Sequence, residues 1–114
     1  MGRVIQIRVS AATFDLAEVE RRWPRLHPLA FAGSGPAWPT KGALELSAAL
    51  ADRLALGILP AEVAAALGPN IRRLEEARAR LDAALADWQP SKAEALSSEL
   101  EDILDELEKS AKRL

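Results

Sequence analysis

The stretch from Asn70 to Leu114 decides the fold: NIRRLEEARARLDAALADWQPSKAEALSSELEDILDELEKSAKRL. On either side of Gln89-Pro90, mostly apolar residues recur at alternating steps of three and four, which is the spacing of one continuous helix face. The first run contains Ile71, Leu74, Arg78, Leu81, Leu85 and Trp88, and the second contains Ala93, Leu96, Leu100, Ile103, Leu107, Ser110 and Leu114. Because few residues separate the two runs, we expect an antiparallel helical hairpin over residues 70–113.

One further leucine, Leu104, widens the apolar stripe of the last helix beyond a two-stranded seam. We therefore expect a third surface to cover it, either the first helices of this chain or another subunit. Leu96, Leu100, Ile103 and Leu107 would then form an interface between two copies or the core beneath that interface. Glutamate at both 100 and 107 is expected to abolish such a dimer.

The N-terminal residues 1–32 predict a strand, a short helix and a second strand. Arg3–Val9 alternates β-branched and polar residues as a half-buried strand does. Asp15 is placed to cap the helix, which Pro24 ends or kinks. A strand needs a partner for its backbone groups, and the candidates are Leu29–Ala32 or the same strand of a second copy. The second candidate is another reason to expect a homodimer.

Residues 33–42 form a loop rich in glycine and proline, and everything after it is predicted to be helical. The first of these helices is expected over 41–56, beginning at Thr40 and stopped by Gly57. A short helix begins at Pro60 and ends at Gly68-Pro69, and a longer one runs from Asn70 to Trp88. The last helix begins with a capping box formed by Ser91 and Glu94. The chain is therefore predicted to be one domain, 1–114, of the mainly α (α+β) class, in which a helical bundle ends in the hairpin.

The composition argues against an enzyme. Cysteine is absent and His27 is the single histidine, which excludes disulfides, thiolate metal sites and histidine clusters. Neighbouring carboxylates on a helix point about 100° apart and do not converge on one atom. We therefore expect no catalytic residue, no metal and no cofactor. No stretch approaches the ~20 apolar residues of a membrane span, and we expect a cytoplasmic protein without a membrane partner.

The net charge of −2 is unevenly distributed. Residues 1–92 hold 12 basic and 10 acidic side chains, whereas residues 93–114 hold 3 basic and 7 acidic ones. We interpret the acidic helix as a solvated face, or as a partner for arginines of the preceding helix or of another chain. Those arginines are Arg72, Arg73, Arg78 and Arg80.

Three tryptophans stand out because aromatic residues are only 4% of the chain. Trp23 and Trp88 fall on apolar helical stripes and are predicted to be core. Trp38 lies in the glycine- and proline-rich loop and is the predicted binding anchor, since exposed tryptophans often dominate interfaces. The sequence thus favours a small non-enzymatic interaction or assembly protein, homodimeric and able to bind a protein partner.

The segment EVAAALGPNIRRL, Glu62–Leu74, resembles the core of the bacterial helix-turn-helix family. The likeness lies in its acidic–aliphatic–alanine start, the Leu-Gly that ends one helix, and the polar cap that begins the next; Pro69 departs from the pattern. The resemblance implies a recognition helix in the major groove. The implied DNA-contacting residues are Asn70, Arg72, Arg73 and Glu76. A DNA-binding regulator dimerised by its hairpin is therefore the alternative function.

Overall fold

The computed structural model describes residues 10–33 and 38–114, which contain five helices and no strand. The helices are α1 (Leu16–Arg22), α2 (Leu26–Phe31), α3 (Ala43–Ala55), α4 (Ala61–Ala86) and α5 (Pro90–Ala111). The predicted mainly helical class is confirmed. The predicted strand Arg3–Val9 lies outside the described residues.

The hairpin that the sequence pattern predicts is formed by α4 and α5, and it is the centre of the bundle. α3 packs against α4, and α2 packs against α3 and α5. Leu104 is fully buried inside the single chain, in one cluster with Trp23 and Leu26 of the first helices and Leu50 of α3. The third surface that the wide stripe of α5 requires is therefore supplied by this chain itself.

The second strand predicted at Leu29–Ala32 is wrong, because residues 29–31 belong to α2. The start of α2 is capped by a residue that is distant in the sequence. One carboxylate oxygen of Glu108 in α5 accepts hydrogen bonds from the backbone N–H groups of Arg25 (2.8 Å) and Leu26 (3.1 Å). Unpaired N–H groups at a helix start need such acceptors. The local sequence predicts no helix here because its cap lies more than 80 positions away.

The turn predicted at Gly68-Pro69 is also wrong, because α4 runs through both residues without a break. Leu67, Ile71 and Leu74 are all buried on one face of that helix. A proline inside a helix costs about 3 kcal/mol, whereas burying each large apolar side chain contributes about 1.5–3 kcal/mol. The continuous apolar face therefore outweighs the proline, and no helix-turn-helix forms in this segment.

The caps of α1 and α3 differ in their distance along the sequence from the helix that they cap. Asp15 caps α1 as predicted, since its side chain accepts from the N–H of Ala17 at 3.0 Å. Thr40 does not cap α3. Instead, Thr13 from the segment before α1 accepts from the N–H of Ala43 at 2.7 Å. A Cβ on Gly42 would collide with the Thr13 hydroxyl, so glycine at this position lets the two segments meet.

A charged cluster attaches α1 to the acidic helix α5. Arg22 donates hydrogen bonds to Glu101 (3.1 Å) and to both carboxylate oxygens of Asp105 (3.1 and 2.9 Å). The indole N–H of Trp23 donates to the same Asp105 at 2.9 Å. The hydrogen bonds from Arg22 lower the pKa of Asp105 below its ordinary value of 3.8, against the opposing effect of partial burial. This part of the acidic face is therefore used inside the chain.

Asp105→Asn is expected to destabilise the chain at neutral pH and to have no effect in strong acid. A carboxylate whose pKa is lowered by folding stabilises the folded state above its unfolded pKa, and loses that effect as the pH falls through the folded value. Because the side chain is more than a third exposed, we expect less than about 1 kcal/mol. Urea unfolding of both proteins from about pH 7 down to about pH 2 measures the difference. A difference that stays constant with pH would contradict this cause.

Candidate interaction surface at the hairpin tip

The four leucine and isoleucine residues predicted for an interface lie in the core of the single chain. Leu96, Leu100, Ile103 and Leu107 are all buried. They are therefore the core beneath a surface and are not exposed to a second copy. Glutamate at 100 and 107 would disrupt the monomer itself, so that double substitution does not report on a dimer.

The tryptophans are placed differently from their predictions. Trp23 is buried, as expected, and Trp38 is half-buried against the main core. Trp88, which the stripe predicts to be core, is 63% exposed. The sequence-based prediction therefore makes α4 two residues too long, since the helix ends at Ala86.

The residues implied for DNA contact lie in the continuous helix α4. Arg73 donates to the side-chain oxygen of Asn70 at 2.9 Å and to Glu106 of α5 at 3.2 Å. Asn70 is thus in a helix interior and caps no second helix. Arg72 and Glu76 are exposed on the same helix. Of the four arginines predicted to pair with α5, Arg73 does so in the described part of the chain.

Trp88 terminates α4 in a backbone conformation that tryptophan rarely adopts. Its N–H donates to the carbonyl of Leu85 at 3.2 Å, and the N–H of Gln89 donates to the carbonyl of Ala84 at 2.9 Å. This pair of bonds is a Schellman motif, whose residue after the cap needs a positive φ. Trp88 has φ of 56°. Glycine is favoured there because a side chain in the left-handed region costs about 1–2 kcal/mol.

The end of α3 provides a matched comparison within the same chain. There, Gly57 donates to the carbonyl of Leu54 at 3.2 Å, and Ile58 donates to that of Arg53 at 3.0 Å. Gly57 has φ of 69° and occupies the position that Trp88 occupies in α4. The same Schellman motif thus ends α3 with the favoured residue, Gly57, and ends α4 with a large, exposed aromatic residue, Trp88. Neither helix termination nor core packing explains Trp88.

The surroundings of Trp88 form a small apolar surface, which we call the hairpin tip (residues 84–92). A cavity of about 300 Å³ lies there. It is lined by Ala84, Leu85, Trp88, Gln89 and Pro90. Beneath it, Leu81, Ala84, Ala93 and Leu96 make a core cluster separate from the main one. Pro90 is the first residue of α5, so the capping box predicted at Ser91 does not form.

Two exposed charges flank Trp88 in positions that the helix dipoles disfavour. Asp87 lies at the C-terminal end of α4, where a cation is preferred, and Lys92 lies in the first turn of α5, where an anion is preferred. Neither forms an ion pair within residues 10–33 and 38–114. Three neighbouring side chains thus oppose the local preference of the backbone that carries them.

His27 and a second cavity are the other features at which a reaction or a ligand could be sought. His27 packs edge-to-face on Phe31, with 5.1 Å between ring centroids. A second cavity, of about 270 Å³, lies between the start of α3, α5 and residues 11–14. Among the described residues, no group of three or more His, Cys, Asp or Glu side chains could hold a metal ion. No described helix has the length and apolar content to cross a membrane.

Comparisons with known proteins identify no relative. No family model matches the chain, and neither the comparison with curated proteins nor the comparison with solved structures gives a significant match.

Proposed function

We propose that this chain is a non-catalytic protein–protein interaction or assembly protein that binds through the hairpin tip, with Trp88 as the anchor. The cytoplasmic location expected from the sequence is part of the proposal. The observation that carries it is the contrast between Gly57 and Trp88 at equivalent helix ends. Residues that violate local preferences without a structural benefit are characteristic of functional sites.

The chemistry of the tip suits binding. A tryptophan side chain covers about 150–250 Å² when it is buried, and tryptophan is among the residues most enriched at interface hot spots. At 63% exposure, most of the apolar area of Trp88 is available to a partner. The half-buried Leu85 and the exposed Pro90 lie beside it. Burial of these neighbours with the indole would exclude water around the anchor.

Absence of catalysis is the second part of the proposal, and it rests on the supply of reactive side chains. The chain has no cysteine and no tyrosine. The single histidine, His27, packs edge-to-face on Phe31. General acid–base or nucleophilic catalysis would need a reactive side chain held beside a group that activates it.

Site-specific photo-cross-linking in the native host tests the proposal. A photoreactive amino acid at Gln89 lies next to Trp88 and leaves the indole in place. The matched control is Ile58, which occupies the same position of the motif at the end of α3. We expect a discrete protein adduct from position 89 and none from position 58. No adduct at 89, or equal adducts at both positions, would contradict an interaction surface at the tip.

Trp88→Gly is expected to leave the fold intact and to remove the adduct formed from position 89. The free energy of unfolding should stay unchanged or rise by about 1 kcal/mol, because relief of the left-handed conformation offsets the lost contacts and the greater freedom of glycine in the unfolded chain. Urea unfolding followed by circular dichroism measures this value. A loss of more than about 2 kcal/mol would assign Trp88 a structural role in packing instead.

A further inference from the structure

We infer that the partner of the hairpin tip is a second copy of this chain, which binds tip to tip around a two-fold axis. The inference rests on the proposed function and names its partner. A symmetric contact of this kind requires one patch that is complementary to itself, so that each feature meets its counterpart on the other copy. Shape and charge at the tip both meet this requirement.

Complementary shapes occur within the single patch. Trp88 is 63% exposed and forms one wall of the cavity of about 300 Å³, whose other walls include Leu85 and Pro90. Around a two-fold axis, the indole of each copy enters the cavity of the other. The two indoles then pack against one another, which aromatic rings favour in offset or edge-to-face geometry.

Charge complementarity selects a second copy. Asp87 directly precedes Trp88 in the sequence and Lys92 follows it by four positions; both are exposed and have no ion-pair partner in the described chain. In the symmetric contact, Asp87 of each copy faces Lys92 of the other, so two ion pairs form at once. This explains why both charges are kept where the helix dipoles disfavour them. The rest of the acidic face of α5 stays outside the contact.

The size of the tip determines the strength of the contact. About 20–30 residues on each side form a stable interface, whereas the hairpin tip covers residues 84–92. The dimer should therefore be reversible, with a dissociation constant weaker than about 1 μM. An assembly in equilibrium with its monomer is the expected state of the purified protein.

Sedimentation equilibrium from ~5 μM to ~1 mM protein tests the inference over the range of such weak contacts. The wild type should show a monomer–dimer equilibrium, and Trp88→Gly should be monomeric throughout. Leu56→Ala, which removes an exposed apolar side chain at the C-terminal end of α3, should dimerise as the wild type does. A monomeric wild type, or a Trp88→Gly protein that dimerises equally, would overturn the inference.

Charge reversal tests the register of the contact. Asp87→Lys places lysine opposite lysine twice and should weaken the dimer about tenfold. Adding Lys92→Asp restores two attractive pairs and should bring the dissociation constant back to within about twofold of the wild type. If the double variant dimerises no better than the single one, the proposed pairing is wrong.

The cross-linking experiment separates this inference from the proposed function. An adduct from position 89 with twice the mass of the chain, containing peptides of this chain alone, supports the second copy. An adduct with a different protein, together with a monomeric wild type in sedimentation, overturns the second copy and leaves the interaction function standing. The absence of any adduct, together with a monomeric wild type, overturns both.

Discussion

Leu107→Glu should unfold the monomer. Leu107 is fully buried, so the substitution removes an apolar side chain, at a cost of about 2–5 kcal/mol, and adds an unpaired buried charge, at several kcal/mol more. This total approaches the whole stability of a domain of this size, about 5–15 kcal/mol. Far-UV circular dichroism should show loss of the helical signal at 25 °C.

Two further variants make this prediction quantitative. Leu104→Ala, also at a fully buried position, should remain folded and lose about 2–5 kcal/mol in urea unfolding. Leu114→Glu introduces the same charge at a side chain that is 55% exposed and should change the stability by less than about 0.5 kcal/mol. A Leu107→Glu protein that keeps its helical signal would contradict the placement of Leu107 in the core of the monomer.

The second large effect is expected from Glu108→Ala, which should destabilise the chain by about 2–4 kcal/mol. Glu108 is 4% exposed, and one of its oxygens caps the N–H groups of Arg25 and Leu26. Alanine leaves both groups unpaired; the buried N–H of Leu26 then costs about 1–3 kcal/mol, and the partly buried N–H of Arg25 costs less. The other oxygen has no partner in the described chain, which makes the net contribution of the carboxylate smaller than its two bonds suggest.

Hydrogen exchange shows whether the loss arises at α2. The amide protons of Arg25 and Leu26 should exchange faster in Glu108→Ala than in the wild type, because they lose their acceptor. Glu108→Gln keeps a side-chain carbonyl oxygen as acceptor and should lose clearly less stability than Glu108→Ala. Glu106→Ala removes an exposed ion pair with Arg73 and serves as the control, at no more than about 1 kcal/mol. Equal losses in Glu106→Ala and Glu108→Ala would contradict the cap.

The parts of the fold that depend on neighbouring residues could be predicted from the sequence. The hairpin follows from the three–four spacing on both sides of Gln89-Pro90, and the stop of α3 follows from Gly57. The cap of α1 is also local, because the Asp15 side chain accepts from the N–H of Ala17, two residues further on. In each of these cases, the interaction that decides the structure lies within one or two helical turns of the residues concerned.

The parts that depend on distant residues could not be predicted. α2 and α3 begin at caps supplied by Glu108 and Thr13, which are far away in the sequence. The helix crosses Pro69 because the buried face outweighs the local penalty, and that balance is a property of the whole bundle.

The candidate site could not be predicted from the sequence for a different reason. Trp88 continues the apolar spacing of α4, and only the position of the helix end shows that it lies outside the helix and exposed. The interaction function stays a prediction from the sequence, whereas the residue proposed to carry it required the structure.

Competition for the photo-cross-link at position 89 tests the role of Trp88 most directly. The probe-bearing chain carries a mass tag and is irradiated with its partner, which is another protein or a second tagged copy, while an excess of untagged, probe-free chain, either wild type or Trp88→Gly, is present. The adduct that is followed joins the tagged chain to that partner. If Trp88 anchors the contact, the wild type reduces the yield of the adduct in proportion to its excess and Trp88→Gly leaves the yield unchanged. Equal competition by the two proteins would contradict an interaction surface centred on Trp88.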